Sequence, residues 1–182
     1  DIPKLKIMGV EAVKSSTPEV CRGKIKDAIR VIMNDSEDAL IKFVNDFKEV
    51  FMTLSPEEVA FPRSCNNVNK YIDSNSIYKK GTPIHVKGAL IYNHNIDKHK
   101  LGMKYPLIKD GDKIKFLMLK QPNTVKDTVI SFSTKIPYEF ELHKYVDYDT
   151  QFEKTFTDPL RFILDSIGWK LEREATLEAF FG

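Results

Sequence analysis

Over residues 18–54 apolar side chains recur at spacings of three and four in two consecutive runs, a pattern that commits this part of the chain to a pair of amphipathic helices. The first run carries Cys21, Ile25, Ala28, Ile29 and Ile32, with Arg22, Lys24, Lys26 and Arg30 over much of the remaining surface. Asn34-Asp35-Ser36 interrupts it. Ser36 followed by Glu37 and Asp38 then reads as an N-cap and acidic first turn, opening a second helix with the stripe Leu40, Phe43, Val44, Phe47, Val50, Phe51 and Leu54. So short a connection predicts an antiparallel hairpin. Its phenylalanines read as core, because they fall on one stripe at the period of a buried face.

The rest of the chain builds an α+β fold around that hairpin. Ser55-Pro56-Glu57-Glu58 has the form of a capping box, but Val59-Ala60-Phe61 before Pro62 predicts an extended segment. Residues 72–82 read as a loop ending in the basic turn Lys79-Lys80-Gly81. From Pro83, Val86, Ala89, Leu90 and Tyr92 predict a buried helix interrupted at Gly88, and residues 93–109 show no period and read as a loop. Alternation over 113–119 and 128–133 predicts two antiparallel strands. From Asp147 the helical spacing returns with Phe152, Phe156, Leu160, Ile163 and Leu164, kinked at Thr157-Asp158-Pro159 and ended by Gly168. The expectation is a mainly helical unit with a helical hairpin, a small antiparallel sheet and an extended C-terminal peptide. That peptide closes on Leu177, Phe180 and Phe181, apolar residues with little core of their own to join, a composition suited to docking.

Lysines and arginines number 28 against 26 acids, a formal charge of +2, so any basic surface must come from local placement. Residues 3–18, PKLKIMGVEAVKSSTP, are the clearest such placement. As a strand they would project Lys4 and Lys6 from one face and Leu5 and Ile7 from the other. After Gly9, Thr17-Pro18-Glu19 reads as N-cap, first helical residue and acidic first turn, beside Lys14, Ser15 and Ser16. Free N–H groups at a helix start, with hydroxyls and a lysine alongside, suit phosphate. A buried edge strand followed by an ordinary capped helix accounts for the same residues, and the two readings stay open. So do two readings of RSCNNVNKY, where Arg63, Ser64, Asn66, Asn67 and Lys70 form either a solvated loop or a second row of phosphate contacts.

Complete catalytic constellations are missing. The chain has no G-x-S-x-G, P-loop or HExxH. Asp110-Gly111-Asp112 and Asp147-Tyr148-Asp149 could tempt a metal-site reading, but the first lies in a turn and the second opens a helix, so both read as structural. Cys21 and Cys65 have no metal-ligand spacing and read as apolar fillers of a reducing compartment. No apolar run approaches the length of a membrane span, nor do the first residues resemble a targeting peptide. A soluble intracellular protein is expected, and its start at Asp1 suggests a fragment of something longer.

Taken in order, KLKIMG, KSSTP opening a helix, the hairpin, NNVNKY, PIHVKGALIYN, GDKIKFLML, EKTFTDPL and the apolar terminal peptide resemble the C-terminal part of the family B replicative DNA polymerases of T-even-type bacteriophages. The resemblance covers essentially the whole chain. It implies the end of a palm domain over 1–14, a thumb over 15–169 and a tail over 170–182. It further implies that Lys4 and Lys6 meet the minor groove of primer–template DNA. Lys14, Ser15, Ser16, Thr17, Arg63, Ser64, Asn66, Asn67 and Lys70 would meet phosphates, with Lys79, Lys80, His85 and Lys87 completing the DNA-binding set. Leu177, Phe180 and Phe181 would dock on the sliding clamp. The palm aspartates that hold Mg2+ in such enzymes have no counterpart here, so no catalytic residue is assigned and the chain alone is expected to be inactive. The implied partners are duplex DNA, the remaining polymerase domains and the clamp, in the cytoplasm of an infected bacterium. The alternatives are a stand-alone protein-interaction module and one subunit of a naturally split polymerase.

Overall fold

In the computed structural model the described residues are 4–5, 8–9 and 14–172. The expected hairpin is α1 (Glu19–Asn34) and α2 (Glu37–Phe51). Ser36 Oγ accepts the Ala39 N–H at 3.1 Å, which caps α2. Cys21, Ile25, Ala28, Ile29 and Ile32 are all buried, as are Leu40, Val44, Phe47 and Phe51. Phe47 and Phe51 join Phe152 and Phe156 in an aromatic cluster with centroid separations of 4.9–6.0 Å. Phe47 and Phe51 are therefore core and hold the hairpin to the C-terminal helices, whereas Phe43 is half-buried against that core and Val50, expected on the same stripe, is exposed.

After α2 the local capping signal and the extended signal both hold, over successive residues. Ser55 caps the single-turn α3 (Pro56–Val59), and its hydroxyl also meets Glu58 Oε1 at 2.9 Å. The chain then extends as β1 (Phe61–Cys65), so the first part of RSCNNVNKY is strand rather than loop. The cause is tertiary: β1 pairs antiparallel with β2 (Asp112–Met118), which pairs antiparallel with β3 (Val129–Phe132). Among the described residues the sheet has three strands in the order β1-β2-β3.

Two expectations fail at α4 (Ile84–Lys98). Gly88 does not interrupt the helix. A Cβ there would stand 2.3 Å from Ser131 Oγ and 2.7 Å from the Ser131 N, so glycine is what lets α4 lie directly on β3. The helix also runs past residue 93, because Asn95 and Ile96 are buried a turn beyond Ile91 and Tyr92. Asn95 stays compatible with burial by donating to the Ile91 carbonyl at 2.8 Å.

The C-terminal helix contains a change of pitch where a kink was expected. α5 (Tyr148–Phe152) passes through a π-helical turn, Glu153–Thr157, into α6 (Asp158–Asp165). The Asp158 N–H bonds to the Glu153 carbonyl, a five-residue step that accommodates Pro159 and its missing donor. Gly168, at φ 73°, reverses the chain after α6.

The N-terminal strand is corrected as well. Lys4, Leu5, Met8 and Gly9 have helical backbone, while Lys6 lies outside the described residues. Leu5, Met8 and Gly9 share one face at helical spacing, and a Cβ on Gly9 would come within 2.2 Å of Ile29 Cδ1. Contact with α1 thus overrides a four-residue alternation. Leu177, Phe180 and Phe181 also lie outside the described residues.

Candidate nucleic-acid interface

The site forms where the segment before α1 crosses β1. Lys14 to Thr17 make a tight turn, closed by the Thr17 N–H on the Lys14 carbonyl at 3.0 Å. Pro18, not Thr17, occupies the N-cap position of α1, with no side-chain cap. Arg63 reaches across from β1, its Nη1 donating to the Pro62 carbonyl at 3.0 Å and, at 3.5 Å, to that of Ser16. Its guanidinium also lies 5.6 Å from the centre of the Phe116 ring, which itself stacks on Phe61.

These segments border an open groove of about 800 Å3 lined by Lys14, Ser16, Thr17 and Arg63 together with Lys154, Thr155, Pro159, Phe162, Phe61 and Met8. Among the described residues Lys14, Arg63 and Lys154 have no carboxylate partner, and no acidic side chain lines the groove. Phe162 stands 67% exposed at its edge. Sequence reasoning missed Lys154 and Phe162. Their signal was slight: both are polar-face or off-stripe positions of a helix whose π turn rotates them relative to a regular α-helical count.

One other candidate, His85, neighbours the groove residue Arg63. His85, on α4, packs 6.4 Å from Phe116, and burial, then the Arg63 charge, pushes its imidazole below the ordinary value, opposed by a bond to the Ser64 backbone. Lys87 lies over Tyr78 at 5.1 Å and Lys70 over Tyr71 at 5.4 Å. Tyr71 and Tyr78 are joined through the Ile72–Tyr78 bridge and the Lys79 N–H on the Tyr71 carbonyl at 2.9 Å, so Lys70, Lys79 and Lys87 form a second cationic neighbourhood. Ser64, Asn66, Asn67 and Lys80 are exposed, Asn67 in a left-handed turn at φ 62°. Lys4 is exposed and does not line the groove.

Three of the four tempting carboxylates are engaged in backbone capping, and Asp149 pairs with Lys48 at 3.5 Å. Asp110 accepts the Val68 N–H, Asp112 accepts that of Lys109 at 2.8 Å, and Asp147 accepts that of Thr150 at 3.0 Å. Among the described residues no group of three His, Cys, Asp or Glu could hold a metal ion. Both cysteines are buried, and burial pushes their thiols up to about 11. Among the described residues, no helix is long and apolar enough to cross a membrane.

An α+β unit whose open groove presents hydroxyls, aromatic edges and cations with no carboxylate partner among the described residues is chemically matched to a polyanion. Over 184 residues the chain is 30% identical to the DNA-directed DNA polymerase of Enterobacteria phage T4, an alignment covering 99% of this chain and 20% of that protein. It is 32% identical over 184 residues to the DNA-directed DNA polymerase of Escherichia phage RB69, covering 98% of this chain and 20% of that relative. Along nearly its whole length the chain is therefore similar to one part of these phage DNA polymerases, and it spans about a fifth of these relatives' length. No protein-family model matches it.

Proposed function

We propose that this chain is the thumb-bearing, C-terminal part of a phage DNA polymerase, with the end of the palm over 1–14, the thumb over 15–169 and a clamp-docking tail over 170–182. Its task is to grip primer–template duplex without regard to sequence, while nucleotidyl transfer and its Mg2+ belong to other parts of the polymerase. The single observation that carries this reading is the groove. It joins Lys14, Ser16 and Thr17 to Arg63 and Lys154, from three separate parts of the chain, around a space that no carboxylate of the described residues lines. Phosphate contacts of this kind hold register on a duplex and carry no base identity, as a protein following every sequence requires. Leu177, Phe180 and Phe181 supply the apolar anchors for the clamp, and a second attachment turns rebinding to DNA into an intramolecular event.

Titration of a fluorescent primer–template at several salt concentrations tests the grip. Binding that is indifferent to base sequence and weakens with a negative log–log salt slope is expected. Absence of binding even at low ionic strength would sink the proposal. For the tail, the expected result is that replacing Leu177, Phe180 and Phe181 by serine removes clamp binding; unchanged clamp binding overturns that assignment.

A further inference from the structure

We infer that the C-terminal peptide, residues 173–182, folds back into the groove of Lys14, Arg63 and Lys154 and occupies it in competition with nucleic-acid phosphate. The competition rests on the duplex-gripping reading above; the fold-back contact itself does not.

The course of the chain supplies the first argument. Past Gly168 the backbone reverses, with the Trp169 N–H on the Leu164 carbonyl at 3.2 Å. Leu171 is buried, and Arg161, in the first half of α6, holds Glu172 through its Nη2 while also meeting Asp158. Residues 169–172 therefore run back along α6 toward its N-terminal end. That is the end at which Pro159 and Lys154 line the groove, and Phe162 neighbours Arg161 in sequence.

Reach and chemistry agree with that direction. Five residues from Glu172 to Leu177 span up to roughly 17 Å when extended, and ten span roughly 33 Å. The peptide REATLEAFFG carries Glu174 and Glu178 against one arginine, following Glu172, and it carries Leu177, Phe180 and Phe181. Among the described residues the groove offers three cations, no carboxylate, and the apolar surfaces of Met8, Phe61, Pro159 and Phe162. Exposed Phe162 then gains a partner, and the acids meet cations that have none among the described residues. Because the peptide is tethered, its effective concentration at the groove is on the order of millimolar, so contacts too weak to survive between separate molecules suffice. A partner that captures the peptide's apolar residues frees the groove for DNA.

The test uses the full chain. Gly182→Cys supplies a single reactive thiol, since Cys21 and Cys65 are buried, and a nitroxide placed there reports on the methyl group of Met8 by relaxation enhancement. Broadening of Met8 is expected, and its loss on changing Leu177, Phe180 and Phe181 to serine. A Met8 signal unaffected in the starting chain, or broadened equally in the triple variant, overturns the fold-back contact. In duplex titrations the triple variant should bind primer–template about three- to tenfold more tightly. Equal affinity overturns the competition. Absence of duplex binding in both proteins would instead refute the gripping function and the competition, with the Met8 measurement still deciding the contact.

Discussion

The side chain of Gln151, fully buried, accepts the backbone N–H of Met118 on its Oε1 at 2.8 Å. Its Nε2 donates to the Val59 carbonyl at 2.7 Å, so one amide links α5 to the end of β2 and to the turn that feeds β1. Leucine at this position would leave two backbone groups unpaired in a dry environment. Gln151→Leu is expected to cost about 2–4 kcal/mol in urea unfolding. A loss below about 1 kcal/mol would mean that the junction can rearrange to satisfy both groups.

Two glycines in helices should respond in opposite directions to alanine. Gly88→Ala forces a Cβ against Ser131, including its backbone N, and is expected to destabilise by about 1–3 kcal/mol despite alanine's better helix propensity. Gly23, in α1, has nothing within 4 Å of its would-be Cβ, so Gly23→Ala should stabilise by about 0.5–1 kcal/mol. Equilibrium denaturation of both variants separates close approach from mere helix breaking.

Charge in the groove should be read in the salt dependence of duplex binding. Lys14→Ala, Arg63→Ala and Lys154→Ala are each expected to weaken primer–template binding uniformly across sequences and to make the log–log salt slope shallower by about 1. Lys42→Ala is the control, because Lys42 is already paired with Asp46 at 2.7 Å on an exposed face of α2. Equal effects at Lys42 and at the groove would remove the groove's special role.

His85 gives a pH-dependent signature. Burial and the neighbouring Arg63 charge depress its folded-state value, so its imidazole should titrate below the ordinary value of about 6.5 in an NMR titration. Arg63→Ala should raise the midpoint without fully restoring it, since burial remains the larger cause. As pH falls through about 6.5, the unfolded chain takes up the proton first. Stability contributed by neutral His85 is therefore present above that pH and is lost as pH falls toward the folded-state value. A midpoint at or above the ordinary value would contradict the burial of His85 beside Phe116 and near Arg63.

Locally encoded features were legible in the sequence. Both hairpin helices, the Ser36 cap, the two strands of the central pair and the core role of the phenylalanines follow from periodicity and capping chemistry, which act within a few residues. The family resemblance was legible too, through the order of short motifs. Among the site residues, Lys14 to Thr17 and Arg63 were marked individually by charge and hydrogen-bonding capacity.

Nothing in the sequence showed that those two segments share a groove, or that Lys154 and Phe162 complete it, because that depends on β1 pairing with β2 across some fifty residues. The same dependence decided the other differences. Arg63 sits on a strand because β2 offers a ladder, Gly88 continues a helix because β3 lies against it, and Leu5 is helical against α1. Periodicity records which face of a segment is apolar; which surface covers that face is a property of the assembled chain.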